Sequence, residues 1–202
     1  MNPHSPGRAD SPVQRLSWAL CSCCSLGCPP YLRVVKVTLF TDGSYNHLNN
    51  SGGWAAFVEC KEGNFLRYGP TLKSCSAANH AELFAIWIAV KLAYQEWGDK
   101  IHLFNIISDS ETALRHVQRG PLGSKNRDRE MLRLRGKIHD IFKECGVQVI
   151  PEHVKAHRDP SLGYRFAKNN QVDYYATLGR KSVKGAGFLR PDYTGSDLKL
   201  VP

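Results

Sequence analysis

The 202-residue sequence contains no run of about 18 consecutive apolar residues, the length that a membrane-spanning helix requires. Acidic residues are scarce relative to basic ones, 18 against 27, which leaves a formal net charge of +9. A basic chain without a membrane span is typical of proteins that bind a polyanion. Nucleic acid is the first candidate and an anionic membrane surface the second, with solubility alone as the remaining explanation of the charge.

Cysteines are too few and too unevenly distributed for a disulfide framework. Four of the seven lie within the segment CSCCSLGC at residues 21–28. This cluster has neither a second group of cysteines nor a nearby pair of histidines, so the pattern does not favour a zinc site. The scattered thiols are typical of a reducing compartment, and we expect a cytoplasmic protein in which they are buried: Cys60, Cys75 and Cys145.

The sequence lacks an internal repeat and divides into three parts. Residues 1–33 have a basic start and a short apolar run, as a signal peptide does, but no clean A-x-A cleavage site. We interpret this Cys-rich segment as a disordered leader or as the product of a start codon assigned too early. One compact domain is predicted at residues 34–180. Glycines, prolines and weak periodicity predict a mobile basic tail at residues 181–202, and partial packing of this tail as a strand is the alternative.

Hydrophobic periodicity predicts an α/β domain with a mixed five-stranded sheet flanked by helices. Three hairpin-linked strands form an antiparallel meander, and two further strands run parallel, with the first and fourth strands central. The predicted strands cover residues 33–41, 54–60, 65–68, a segment ending at 108–109, and 146–154. The predicted helices cover residues 79–93, 111–118, 129–145 and 172–178, while residues 156–170 are predicted as an irregular loop.

A carboxylate stands at the head of the most apolar predicted helix, in the segment NHAELFAIWIAVKLA. Glu82 is costly there unless it is paired, protonated or bound to a metal ion. Asp42 and Asp109 end two central strands, and Asp173 lies on the last helix beside apolar residues. Taken singly, these acids fit a turn, a helix cap and an ion pair. Together they indicate hard oxygen ligands for two Mg²⁺ ions about 4 Å apart, an arrangement that cleaves phosphodiesters.

The segments TDGS, GGWA, NHAEL, ISDSE, VKAHRD and NNQVDYYA resemble, in order and spacing, the motifs of the type 1 ribonuclease H family. The resemblance covers about residues 34–180 and extends to the ribonuclease H domain of reverse transcriptases. It implies a ribonuclease H-like fold. It also implies these site residues: Asp42, Glu82, Asp109 and Asp173 as metal-binding catalytic acids, His157 for proton transfer or product release, and Asn79 and Asn169 near the substrate.

The resemblance implies hydrolysis of the RNA strand of RNA–DNA hybrids, with Mg²⁺ or substituting Mn²⁺, to give 5′-phosphate and 3′-hydroxyl ends. We expect the backbone near Gly43 and Ser44, together with Asn79, to recognise the 2′-hydroxyls of RNA. Arg129, Arg133 and Lys137 recur every four residues along one helical stripe, which suits a phosphate backbone, although a solvated helix face is the alternative. We expect a monomer with no obligate protein partner and no membrane attachment.

Several positions depart from the family pattern. Ala156 stands where the family usually has glycine, Asn170 replaces an acid, and Leu48 and Ala78 replace asparagines. The segment SLGYRF, at residues 161–166, resembles an insertion. The motif His80-Ala81-Glu82 also fits a zinc deaminase, but the required P-C-x-x-C is missing. A non-catalytic nucleic-acid-binding relative and a detached reverse-transcriptase domain remain the alternative interpretations.

Overall fold

The computed structural model describes residues 35–119 and 128–182. The predicted leader, most of the predicted tail, and the basic segment 120–127 with Lys125 and Arg127 lie outside the described residues. The predicted bounds of leader and tail therefore stay predictions. In the two described ranges, no helix combines the length and the apolar character that crossing a membrane demands.

The described residues form a five-stranded mixed sheet with helices packed against it. The strands are β1 (Val35–Asn46), β2 (Ser51–Cys60), β3 (Gly63–Pro70), β4 (Ile101–Ser108) and β5 (Gln148–His153). The α-helices are α1 (Ala78–Trp97), α2 (Glu111–Gln118), α3 (Arg129–Cys145) and α4 (Tyr164–Lys181), with single 3₁₀ turns at Gly98–Lys100 and Pro160–Leu162. The strand order is β3-β2-β1-β4-β5. The first three strands pair antiparallel, while β4 pairs parallel with both β1 and β5, which confirms the predicted sheet.

Two apolar clusters, one on each side of β1, hold the helices to the sheet. Leu39 points into the larger cluster, which includes most of the buried face of α1 and the inner face of α3. Phe40, the next residue, points into the smaller cluster with Val172 and Ala176 of α4. Because side chains alternate along a strand, β1 anchors a helix on each of its two faces. The apolar sequence of α1 thus reflects burial on most of its circumference.

Local capping explains where the two helices after β4 begin. Ser110 caps α2, since its hydroxyl accepts a hydrogen bond of 3.3 Å from the Ala113 amide. Asp128 caps α3 by accepting hydrogen bonds from the amides of Glu130 and Met131. Gly146 ends α3 in the left-handed conformation, with φ of 62°. Short polar side chains at the start and glycine at the end are the usual boundary signals of a helix.

Three local predictions were wrong. The second strand, predicted to begin at residue 54, begins at Ser51, and the hairpin turn before it is confined to residues 47–50. Residues 164–170, predicted as loop, form the first two turns of α4. The prediction failed because this segment, which follows Gly163, lacks the apolar periodicity of a helix and is held by packing. Cys60 and Cys145, expected to be buried, are only partly buried, whereas Cys75 is buried as expected.

Candidate active site

Three carboxylates from different elements meet at one edge of the sheet. Asp42 lies on β1, Asp109 directly follows β4, and Glu82 lies in the second turn of α1. One carboxylate oxygen of each residue lies within 4.8 Å of the other two. The parallel pairing of β1 with β4 explains the meeting, because parallel strands bring their carboxyl ends to the same edge. We call Asp42, Glu82 and Asp109 the acidic cluster.

Glu82 reaches the acidic cluster because the backbones of β1 and α1 approach closely at Gly43. A Cβ atom at this position would lie 2.3 Å from the amide nitrogen of Glu82, and equally close to the carbonyl carbon of Ala81. The Gly43 amide donates a hydrogen bond of 3.1 Å to Glu82 Oε2. Any larger residue would push α1 away from β1. Gly43 therefore positions Glu82 in two ways. The absence of a Cβ atom allows β1 and α1 to approach, and the Gly43 amide binds the Glu82 carboxylate.

The pKa values of the three carboxyls show how poorly water solvates them. Burial, reinforced by the charges of Asp109 and Asp173, raises the pKa of Asp42 from 3.8 to about 8. Burial also raises the pKa of Glu82 well above its usual range, with Asp42 as the next cause. The pKa of Asp109 is raised by burial, while its hydrogen bond from Asn169 lowers it. The carboxylates thus repel one another in a site with little solvent.

Asn169 of α4 is the neighbour that orients Asp109. Its side chain is almost completely buried and forms a hydrogen bond with the Asp109 carboxylate. An asparagine donates only through its amide nitrogen, so the bond directs that nitrogen toward Asp109. Asn169 Oδ1 has no hydrogen-bond partner among the described residues. The structure therefore places Asn169 beside the acidic cluster, where its buried amide orients Asp109.

Asp173 and His157 lie together at the more exposed side of the cluster. Asp173 Oδ2 is 3.6 Å from His157 Nδ1, and the His157 side chain is 79% exposed. Asp173 contributes no oxygen to the group that lies within 4.8 Å, although its charge raises the pKa of Asp42. His157 adopts a positive φ of 51°, which is uncommon for residues other than glycine. The four predicted acids are thus neighbours, with Asp173 on the outer side.

The loop that carries His157 is tied to α4 by a residue that the sequence identified only as a departure from the family. Asn170 Nδ2 donates a hydrogen bond of 2.8 Å to the carbonyl oxygen of Arg158. Asp159, next in the loop, accepts a hydrogen bond of 2.9 Å from the Ser161 amide. An acid at position 170 could not donate to this carbonyl. The amide of Asn170 therefore fixes the backbone directly beside His157.

The acidic cluster fits a divalent cation by the chemistry of its donors. Its carboxylates are hard oxygen ligands, and within the two described ranges no lysine or arginine forms an ion pair with any of them. Clustered, buried carboxylates without a basic partner are costly unless a cation neutralises them. The residues present can therefore hold a metal ion such as Mg²⁺ or Mn²⁺.

Comparison with known proteins identifies the family. The ribonuclease H family model matches residues 35–181. The chain belongs to the ribonuclease H family. The sequence matches no curated protein.

Solved structures of ribonucleases H share this fold at low sequence identity. The N-terminal ribonuclease H domain of Rv2228c from Mycobacterium tuberculosis is 17% identical, with a TM-score of 0.54 over 74% of this chain and 96% of that one. LC11-RNase H1, isolated from compost by a metagenomic approach, is 19% identical, with a TM-score of 0.55 over 74% and 99%. The foamy viral protease-reverse transcriptase, solved with an RNA/DNA hybrid, is 17% identical, with a TM-score of 0.54 over 85% and 23%.

The predicted basic stripe of this chain is only partly available to a ligand. Arg133 Nε donates a hydrogen bond of 2.8 Å to Glu130, and the two side chains form an ion pair. Lys137 Nζ lies 4.3 Å from the centre of the Trp87 ring on α1. Arg129 is exposed at the start of α3. The stripe exists, but two of its three cations already have partners.

A further contact that sequence reasoning missed joins α1 to α3. His80 Nδ1 accepts a hydrogen bond of 3.1 Å from the Ser76 amide, so the ring proton lies on Nε2 when the imidazole is neutral. Nε2 lies 2.6 Å from Asp128 Oδ2, the carboxylate that caps α3. Asn79, the neighbouring candidate substrate contact, is exposed in the first turn of α1. No local pattern could pair residues so far apart in sequence.

The raised pKa of Asp42 predicts that the metal-free protein loses stability as pH rises. Folding increases proton affinity at Asp42, so stability is greatest below pH 3.8 as far as this group is concerned and falls as pH approaches about 8. Asp42→Asn removes this titration and should flatten the dependence, with a higher thermal midpoint than the parent near pH 8. Thermal unfolding between about pH 4 and pH 8 in chelator measures the effect.

Asp140→Asn is the matched control for this experiment, since Asp140 is exposed on α3. Its pH dependence should follow that of the parent protein. Parallel curves for the parent and for Asp42→Asn would show that Asp42 carries no such repulsion.

Proposed function

We propose that this protein is an endoribonuclease that hydrolyses the RNA strand of RNA–DNA hybrids and leaves 5′-phosphate and 3′-hydroxyl ends. Asp42, Glu82, Asp109 and Asp173 hold two Mg²⁺ ions in this proposal, and Mn²⁺ can substitute. The main support is the convergence of three carboxylates within 4.8 Å, without a basic partner among the described residues. Such a group suits divalent cations in contact with substrate phosphates.

Structural relatives support the substrate class. LC11-RNase H1 has also been solved in complex with an RNA/DNA hybrid; in that structure it is 18% identical to this chain, with a TM-score of 0.53. The foamy viral relative was likewise solved with an RNA/DNA hybrid. Asp42, Glu82 and Asp109 converge within 4.8 Å, and the charge of Asp173 on α4 acts on Asp42. Because none of the four acids expected from the family is lost, a purely binding relative is the weaker alternative.

The residues of the chain divide the work in this proposal. Bound Mg²⁺ ions supply activation of the attacking water and stabilisation of the leaving 3′ oxygen. Glu82 is fixed by the Gly43 amide and Asp109 by Asn169, so both carboxylates are oriented before metal and substrate arrive. His157, 3.6 Å from Asp173 and largely exposed, is placed to transfer a proton to or from the substrate.

Discrimination between RNA and DNA requires contacts with 2′-hydroxyl groups in a wide, shallow minor groove. The candidates are the backbone at Gly43 and Ser44 and the exposed side chain of Asn79. Asn169, expected near the substrate, is buried, and in this proposal it acts by orienting Asp109. Arg129, Arg133 and Lys137 would contact phosphates further from the site. All of these substrate contacts are part of the proposal.

We also propose that the enzyme acts as a cytoplasmic monomer. The thiols of Cys60, Cys75 and Cys145 are free, as in proteins of a reducing compartment. A nuclease site built from one chain does not require a second copy, since its acids come from β1, α1, α4 and the residue directly after β4. Sedimentation of the purified protein would measure its mass in solution.

The decisive experiment measures cleavage of a labelled RNA–DNA hybrid with Mg²⁺, with RNA–RNA and DNA–DNA duplexes as controls. We expect cleavage of the hybrid's RNA strand only, and none in excess chelator. Asp109→Asn should lower kcat by at least about 10³-fold because it removes charge from the metal site without loss of packing. Asp140→Asn, on the exposed surface of α3, is the control and should keep parental rates.

Activity that survives chelation would contradict the metal mechanism. Cleavage of the DNA–DNA duplex at an equal rate would contradict the proposal that the substrate is an RNA–DNA hybrid. Binding of the hybrid without cleavage would favour the non-catalytic alternative.

The contact between Asn170 and Arg158 predicts that Asn170 acts through His157. Asn170→Ala should lower kcat several-fold with little change in KM, because it loosens the loop and leaves the acids in place. His157→Ala should also be mild, with hybrid binding kept. In a His157→Ala background, Asn170→Ala should have almost no further effect. Additive losses in the double variant would show that Asn170 serves some other purpose.

The partners of the basic stripe predict unequal roles for its members. Arg129→Ala should make the slope of log affinity against log salt shallower by about 0.7 to 0.9, as expected for one lost phosphate contact. Arg133→Ala and Lys137→Ala should change the slope less, since Glu130 and Trp87 already engage these cations. Equal slopes for the parent and all three variants would mean that the stripe is only a solvated helix face.

A further inference from the structure

A row of polar side chains leads from the acidic cluster along α4. Asp173, Thr177 and Arg180 are spaced so that they lie on one face of this helix. Arg180 Nε donates a hydrogen bond of 3.0 Å to Ser44 Oγ on β1, two residues beyond Asp42. Ser44 Oγ lies 3.4 Å from Thr177 Oγ1, so the serine can accept from Arg180 and donate to Thr177. The row ends in a cation.

The backbone that carries Arg180 is held firmly against the sheet. A Cβ atom on Gly53 of β2 would lie 2.2 Å from the Arg180 amide nitrogen and from the Ala176 carbonyl oxygen. A Cβ atom on Gly179 would lie 2.4 Å from the Gly69 carbonyl oxygen of β3. Glycines on both sides therefore permit contact between α4 and the first hairpins. This contact fixes the origin of the Arg180 side chain before any ligand binds.

Arg180 keeps its positive charge uncompensated by a carboxylate. Within residues 35–119 and 128–182, its hydrogen bond goes to a neutral hydroxyl, and it has no ion-pair partner. It is not among the groups that shift the pKa of Asp42. The bond through Nε leaves both terminal nitrogens of the guanidinium as donors. A planar fork of this kind matches the oxygens of a phosphate.

We propose that Arg180 binds a backbone phosphate of the hybrid that flanks the cleaved bond on the α4 side of the acidic cluster. This inference rests on the proposed function, since it assumes that the hybrid crosses the acidic cluster. Arg180 lies about 10 Å from Asp173 along the helix axis, and helical side chains tilt toward the N-terminus, here toward Asp173. Ser44, whose hydroxyl also contacts Thr177, is the positioning residue that holds the guanidinium.

Hybrid binding is the first test, and it is measured in an Asp109→Asn background so that cleavage does not intervene. Arg180→Ala should raise Kd by about tenfold, and the salt slope should become shallower by about 0.7 to 0.9. The Kd of Arg180→Lys should lie between those of the parent and of Arg180→Ala, because lysine keeps the charge and lacks the planar guanidinium. Lys181→Ala, which removes the same charge from the adjacent exposed residue, is the matched control and should change Kd far less.

Uncharged methylphosphonates, introduced one at a time along each strand, locate the phosphate. One replacement should weaken binding to the parent and have little effect on binding to Arg180→Ala, which is the signature of a direct partner. Ser44→Ala should weaken binding at the same phosphate, by less than Arg180→Ala does. Thermal midpoints near that of the parent confirm that each variant is folded.

A purely structural role for Arg180 gives a different pattern. Binding of the variants would then match that of Lys181→Ala, or no phosphate replacement would distinguish the parent from Arg180→Ala, and either result would overturn the proposal. Cleavage assays with Asp109 intact judge the proposed function separately. A protein that binds hybrid through Arg180 and fails to cut it would contradict only the nuclease activity.

Discussion

The arrangement of this protein depends on the close approach of β1 to α1 at Gly43. It brings a carboxylate from the most apolar helix within 4.8 Å of two others and allows the Gly43 amide to bond Glu82. Three clustered acids, one buried and two partly buried, have no basic partner among the described residues and oppose folding by mutual repulsion. The pKa of Asp42, raised to about 8 by burial and by neighbouring charges, reflects that opposition. The site is tolerated because apolar clusters on both faces of β1 hold its surroundings in place.

The division of the core explains which elements can carry chemistry. The larger cluster fixes α1 and therefore Glu82, whereas the smaller one fixes α4 and therefore Asn169, Asp173 and Arg180. Asp42 lies on β1, the strand between α1 and α4. Asp42, Glu82 and Asp173 thus lie on a strand or a helix, and Asp109 directly follows β4. His157 lies on a loop, which Asn170 ties to α4. Rigid placement suits residues that must be oriented before substrate arrives.

Periodicity and motif order predicted the sheet and the clustering of the acids, because alternation and strand order depend on residues near in sequence. The start of α4 was missed, since residues 164–170 are polar and become helical through packing of Phe166 and Tyr164 near the smaller cluster. Three further contacts were not predicted either: Asn170 with Arg158, His80 with Asp128, and Arg180 with Ser44. Each joins side chains whose distance depends on the completed fold, and no local pattern encodes such distances.

The distribution of charge matters more for nucleic-acid binding than the total of +9. Arg133 forms an ion pair with Glu130, and the ammonium group of Lys137 lies over the Trp87 ring. These contacts weaken the attraction of both cations for a phosphate. Arg180 is instead held by a neutral hydroxyl, which restricts its orientation without compensating its charge. Orientation by Ser44 also reduces the entropy that a flexible arginine would lose on binding. An arginine positioned by hydroxyls therefore contributes more to phosphate recognition than one paired with an acid.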